Sequence, residues 1–424
     1  MNGAIIINTK KGSKDKRGFS VEFNSSTMFE KGFNAIPKVQ DEYGPGDHGR
    51  YAFVDGRGGG LNDGDYDIWG PKFEGQLIPQ YDSPVDPVTG VRKGTPWVAR
   101  GKDNLERFIQ TGILTTNNLA VSASNDKSDI RFSLSHNYQR GIVPNTQLNS
   151  VNFNTSLGHN FSDKLRFEAN VNYNRQFTPN VPDVNYGPNS MIYNVIIWGG
   201  ADWDIDELKN YWQPGKEGVQ QIYAEYQRYN NPWFLAKEWL RGHYKNDLYG
   251  YTTLSYKFNK SFEAIARTSI TTYDLLRTEK FPYSATTYGR EEARGDYRED
   301  ARKLFENNSE LLLKYNKTFF KDLLVAAVAG GNIRKLMYNS SFTTTNYLNV
   351  PGIYTFANSR NPIIASNFSS ELLVTSVYGS LDLSYKNYLN ISATVRTDKS
   401  SAIPGLAPGI VDDLSVLTVA LILR

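Results

Sequence analysis

The feature that most constrains this chain is a two-residue alternation of polarity, repeated along a lopsided series of turns. In residues 128–139, Ile130, Phe132, Leu134, His136 and Tyr138 share one side of an extended strand, and Arg131, Ser133, Ser135, Asn137 and Gln139 share the other. Val151, Phe153, Thr155, Leu157 and Phe161 oppose Asn152, Asn154, Ser156, Gly158 and Asn160 in the same way. Leu165, Phe167, Ala169, Val171 and Tyr173 then oppose Arg166, Glu168, Asn170, Asn172 and Asn174. Successive strand side chains point to opposite faces, so each segment has an apolar and a polar side. In a soluble sandwich the apolar side is core. In an outer-membrane barrel it meets lipid, and the polar side lines the bore.

The links between strands separate the two. Alternation and turn punctuation predict about eleven strands, at 18–30, 117–124, 128–140, 150–161, 164–176, 246–258, 261–275, 305–317, 321–337, 371–386 and 388–399. Short polar links join them at Asn125-Asp126-Lys127, Ser162-Asp163, Asn259-Lys260, Thr318 to Phe320 and Lys386-Asn387, residues that suit a hairpin turn. The other links are long: 31–116, 177–245, 276–304 and 338–370, with 141–149 of modest length. Loops beyond about 15 residues are uncommon in ordinary domains. Short turns at one edge and long loops at the other are the asymmetry of an outer-membrane barrel. Most strands also reach the roughly 9–11 residues that a tilted membrane strand needs. The expected fold is an all-β antiparallel transmembrane barrel.

Composition fits and removes alternatives. The chain has 27 Tyr, 22 Phe and no Cys, with a mean hydropathy of −0.50. A helical membrane protein could not be so polar, whereas a barrel can, because only alternate residues touch lipid. Without cysteine there are no disulfide staples or thiolate metal sites. A net charge of +3 gives no footprint for nucleic acid.

Several residue groups, taken in order, resemble one family. The opening Asn2-Gly3-Ala4-Ile5-Ile6-Ile7-Asn8-Thr9-Lys10-Lys11-Gly12 is similar to the last plug strand of SusC/RagA-type TonB-dependent outer-membrane transporters. Trp69-Gly70-Pro71-Lys72, Gly75-Gln76, Gln80-Tyr81-Asp82, Thr95-Pro96-Trp97 and Lys102-Asp103-Asn104-Leu105 follow, with Phe108, Gly112, Asn117 and Asn118. Gly141-Ile142-Val143-Pro144-Asn145 and Arg396-Thr397-Asp398-Lys399-Ser400-Ser401 resemble later landmarks.

The resemblance implies a 22-stranded barrel with an internal plug, in the outer membrane of a Gram-negative bacterium. It implies uptake of oligosaccharides or peptides, energised by TonB and its inner-membrane motor, with a SusD-like surface lipoprotein closing the mouth. On this reading residues 1–12 are the end of the plug and 13–404 the first half of the barrel. Residues 405–424 form an atypical tail that fits no strand pair and suggests a shifted reading frame. Met1 precedes plug-end residues directly rather than a basic and then apolar leader. The chain therefore reads as an internal piece of such a transporter, inactive alone. A different class, a barrel that displays loops for glycan binding or adhesion without transport, is the alternative.

Site candidates come next. All seven tryptophans lie in two of the long links. Flat aromatic rings either pack loops together or stack on sugars and partners; Trp69 and Trp97 match family landmarks, and Trp198, Trp203, Trp212 and Trp233 are the candidates for substrate or partner contact. The bore-facing set is Arg131, Asn152, Asn154, Arg166, Asn170, Asn172 and Asn174, an amide-rich wall suited to hydrated cargo or to a plug surface. Asp63, Asp65 and Asp67, with Glu74 eleven residues after the first, follow calcium-loop spacing, although Ile68 stands where the loop needs Gly. The four histidines show no metal-ligand spacing and no nucleophile motif occurs, so no enzyme is expected. Asp103 and Glu106 predict a capped helix over 104–111, and Pro232 a second over 233–241.

Overall fold

The computed structural model describes residues 18–31, 38–47, 49–51, 69–80, 83–183, 186–198, 200–223, 229–386, 388–402 and 413–423. The proposed plug strand at 2–12 lies outside these residues.

Twelve strands form one antiparallel sheet, each paired with the next in chain order. They are β1 (Gly18–Glu30), β2 (Gly112–Ser124), β3 (Ser128–Arg140), β4 (Gln147–Asn160), β5 (Leu165–Thr178) and β6 (Leu240–Lys257). The series continues with β7 (Phe262–Phe281), β8 (Asp296–Phe319), β9 (Leu323–Leu348), β10 (Ser359–Tyr385), β11 (Leu389–Ser400) and β12 (Asp413–Leu423). Eleven of these are the expected strands. β12 is not: it falls in the tail expected to fit no strand pair, yet its backbone pairs with β11 from Lys399↔Asp413 to Leu389↔Leu423.

The strands also run further than alternation foresaw, chiefly at the long-loop end. β10 reaches 27 residues and β9 26, so the expected loop 276–304 shrinks to 282–295 and 338–370 to 349–358. The reason is physical. Alternation is imposed where one face meets lipid; beyond the bilayer both faces meet water and the backbone ladder continues without a hydrophobic signature.

The turn end is built by side chains that fold back on the backbone. Asn125 Oδ1 accepts from the N–H groups of Lys127 (2.9 Å) and Ser128 (2.7 Å). Asn259 Oδ1 accepts from Ser261 (2.8 Å) and Phe262 (3.0 Å), and Ser162 Oγ from Lys164 and Leu165. In the three-residue link from Phe319 to Leu323, Phe320 and Lys321 both take positive φ (50° and 67°) and Asp322 N donates to the Phe319 carbonyl (3.2 Å), the twist of a primed turn.

Burial across the sheet is inverted relative to a soluble protein. On β10, Val377 is 71 % exposed and its neighbour Ser376 only 3 %. On the apolar face Phe132, Leu134, Leu254, Ile270, Leu311 and Ile333 are exposed; on the polar face Asp129, Ser156, Asn170, Asn172 and Thr253 are buried. Rings cluster on the apolar face at both ends of the band: Tyr256–Phe258–Phe262 and Tyr385–Tyr388 near the turns, Phe177–Tyr244 towards the loops. From Tyr256 to Tyr244 along β6 is about 12 residues, which at ~3.3 Å each and a ~40° tilt spans roughly 30 Å, a bilayer core with its interfacial girdles. On the same outward face the Asp274–Lys303 ion pair (3.5 Å) lies in the row of Asn246, at the loop-side end of the band. His159 bonds Ser128 Oγ (2.8 Å) and meets Phe161 edge-on at the turn-side girdle. No helix among the described residues is long and apolar enough to cross a membrane.

The long links fold into a cap with a core of its own. Phe108, Met191, Val195, Trp203, Ile205, Leu208, Phe234, Leu235, Ala236, Trp239, Phe281 and Ala285 are buried together. Two short helices contribute, and both are shorter than expected. α1 spans Asn104–Phe108, and Asp103 gives it no side-chain cap, accepting instead from Arg107 Nε at 2.9 Å. α2 spans Pro232–Glu238 and starts at Asn231, whose Oδ1 accepts from Trp233 N (2.9 Å) and Phe234 N (3.4 Å).

Candidate functional site

The polar face of the sheet is a wall of paired donors and acceptors, and the expected bore-facing residues lie on it. Register puts Asn152 opposite Asn174, Asn154 opposite Asn172, and Ser156 opposite Asn170. The amides bond in series: Asn154 donates to Asn172, which donates to Asn170 (2.7 Å), and Asn174 accepts from Ser150 (3.3 Å). Near the turns the wall is ionic. Arg166 reaches Asp129 (3.0 Å) and Glu168 (3.1 Å), and Arg131 reaches Glu22 (3.4 Å). Gly158 makes room for the first pair, since a Cβ there would lie 2.3 Å from Arg166 Nη2 and 2.6 Å from Asp129 Oδ1.

A second charged belt crosses the wall on β7 to β11. Arg267 pairs with Glu310 (3.0 Å), which also accepts from Tyr378 Oη (3.1 Å). Arg334 pairs with Glu306 (2.8 Å) and Arg396 with Asp398 (2.8 Å). Such a surface is wet and hydrogen-bonding.

The tryptophans do mainly structural work. Trp203 is 2 % exposed inside the cap core, where its indole is packing rather than an open face. Trp212 and Trp233 pack half-buried against the same core. Trp233 Nε1 donates to the Ile205 carbonyl (2.7 Å) and its ring meets Phe108 edge-on; Trp212 meets Phe234 edge-on at 5.3 Å. The side chain of Trp198 lies outside the described residues. So do Asp63, Asp65 and Asp67; Glu74, the fourth of the calcium set, is exposed, and the described residues gather no metal-holding group of His, Asp or Glu.

Residues that the sequence did not mark as site candidates stitch the cap. Buried Asn104 donates to the Trp203 carbonyl and accepts from Ile205 N, both at 3.0 Å. Beside it Gly101 is obligatory, for a Cβ would lie 2.1 Å from that same Trp203 carbonyl oxygen. Arg107 gathers Asp103 (2.9 Å), Asp204 (2.6 Å) and Asp206 (2.9 Å); these partners hold its guanidinium above its usual range against the opposing cost of burial. Asn230, fully buried, donates to the Pro188 and Thr286 carbonyls and accepts from Gln221. No sequence spacing connects these partners, which lie far apart within one link or in different links.

An apolar sheath, a polar wall and an extracellular-type cap on one end define a class: the outer-membrane β-barrel. Its place is the outer membrane, where such a sheet is stable. Within that class the fold is of the SusC/RagA type of TonB-dependent transporter. The chain is similar to the solved RagAB peptide importer in its "closed-closed" state, with a TM-score of 0.67 at 14% identity over 96% of this chain and 45% of that one. For the "open-open" state the values are 0.65 and 13%, over 97% and 44%. The chain thus spans less than half the length of those solved chains. No family model and no curated protein matches the sequence.

Proposed function

We propose that this chain forms part of the wall and extracellular cap of a TonB-dependent transporter that brings oligosaccharides or peptides across the outer membrane. One observation carries the reading: buried polar residues and exposed apolar residues alternate along the same strands, as at Ser376 and Val377, so the sheet encloses water and faces lipid. The cap, with its own core, supplies a rigid receptor surface above that bore. By resemblance, a SusD-like lipoprotein covers the cap and TonB supplies the energy; calcium in the 63–74 loop remains part of the same proposal.

β1 and β12 are the two edges of the sheet. A free edge in lipid leaves backbone groups unsatisfied at several kcal/mol each, so further strands must close the wall. The test is uptake of labelled oligosaccharide and peptide pools by cells with and without this gene, TonB intact or disabled. Loss of uptake on deletion, matched by loss of TonB, is expected. Cells that bind a pool through this protein but never internalise it would replace transport with surface display.

A further inference from the structure

Two contiguous cavities lie on the bore side where the wall meets the cap, of about 350 and 450 Å³. They share Arg241, Glu279 and Arg298. Three strands place charge there by register: His243 on β6 faces Arg277 on β7, which faces Asp300 on β8, and Arg241, Glu279 and Arg298 form the next row outward.

Matching charges leaves one group over. Arg241 is held by Asp183 (3.0 Å) and Glu279 (3.2 Å), Arg298 by Glu279 (3.1 Å), and Arg290 by the fully buried Asp296 (2.7 Å). The acid beside Arg277 is Asp300, but both its oxygens are claimed by Arg302, at 3.0 and 2.7 Å. Arg277 itself is exposed to the cavity, and among the described residues no hydrogen bond or ion pair reaches it. Among the same residues no hydrogen bond reaches His243 beside it. Phe342 and Val181 add apolar surface to the same cavity.

We infer that this cleft receives a carboxylate of the cargo, with the Arg277 guanidinium as its bidentate partner and Arg302 keeping Asp300 from occupying that place. A planar fork of N–H donors matches two carboxylate oxygens, and the pair is stronger than a neutral hydrogen bond. The cargo is thus acid-bearing, a peptide with a free C-terminus or a uronic-acid oligosaccharide. The cargo's identity rests on the uptake reading; the free guanidinium does not.

The test uses outer-membrane vesicles from cells producing the full chain, with four fluorescent probes: tetra-alanine as free acid and as C-terminal amide, tetragalacturonate and its methyl ester. One of the two acids is expected to bind about tenfold tighter than its neutral form, and which acid does so identifies the source of the carboxylate. Arg277→Gln should abolish that ratio, and Arg277→Lys should keep part of it. Arg302→Gln should also abolish it, although Arg277 is intact, because Asp300 is then free to pair with Arg277. A solvated, uninvolved Arg277 would not respond to that last change. Equal binding of acid and neutral forms, including no binding of either, overturns the site, as does a ratio that survives Arg277→Gln. The same probes fed to whole cells separate the two claims: acid preference without uptake retires transport and keeps the site, and uptake without preference does the reverse.

Discussion

The wall and the cap bury opposite things. In the cap, Phe234 is fully buried and Trp203 nearly so, while Lys209 and Asp206 face solvent. In the wall, Asn170 and Asn172 are buried and Ile333 and Val377 are exposed. One chain therefore follows the hydrophobic effect against two solvents, water around the cap and hydrocarbon around the wall. What unites them is satisfaction of buried polar groups: the amide series Asn154–Asn172–Asn170 in the wall and the Asn230 and Asn104 hubs in the cap. The cap has a core that could serve a soluble protein, and the wall has none.

The contrast breaks hardest at the cap core. Phe234→Ala should cost about 3–5 kcal/mol of cap stability through the cavity it opens, read as early proteolysis within 179–239 while the wall ladder keeps its hydrogen-exchange protection. Equal loss of protection in both regions would show them to be one cooperative unit. Next comes a pair of adjacent positions on β7. Ile270→Arg points to lipid near mid-band and should cost about 2–4 kcal/mol, whereas Thr271→Arg points into the bore and should cost close to nothing. Folding titrations into lipid bilayers give both numbers; similar values would mean that the assigned faces are wrong.

These faces were legible in the sequence because lipid on one side writes a period of two into the strand. The shared polar face of Asn152, Asn154, Asn170 and Asn172, and the fold itself, followed from that period. Legibility ended where the period ended. The outer halves of β8, β9 and β10 have water on both sides, so residues such as 338–348 and 359–370 read as loop although their backbones pair, with one irregularity between Thr344 and Asn346. The tail read as no strand because its apolar residues do not alternate, yet backbone pairing asks nothing of alternation. The cap was opaque for another reason. Trp203, Asn104 and Asn230 meet partners 36 to 101 positions away, and a ring that fills a core is chemically the same ring that would stack on a sugar. Arg277 could have been found, since it shares the inward parity of Arg267; that Arg302 takes its acid could not.

A smaller effect tests how the cap's first loop is tied to its second. Arg107→Ala leaves Asp103, Asp204 and Asp206 facing one another without their cation. These groups are partly solvated, so a loss of about 1–2 kcal/mol is expected, read as a lower melting temperature for cap tryptophan fluorescence. Added salt should narrow the gap between variant and parent. A gap that widens with salt would point to lost packing by the arginine stem rather than lost charge.

The smallest effect sits at the boundary between the two regions. His243 lies above the lipid band, and its pKa is lowered below the ordinary 6.5 by burial first, then by Arg277 and Lys245, with Asp247 opposing. The folded chain thus holds the imidazole proton less tightly than the unfolded chain does. Between the lowered value and 6.5 the unfolded state carries more proton, so stability rises with pH across that window and is lost as pH falls through it. His243→Gln should flatten this part of the melting-temperature profile between about pH 5 and 8, and Arg277→Gln should shrink it only in part, because burial remains. Superimposable profiles for parent and His243→Gln would mean that the imidazole is solvated and that the cleft beside it is more open than its walls suggest.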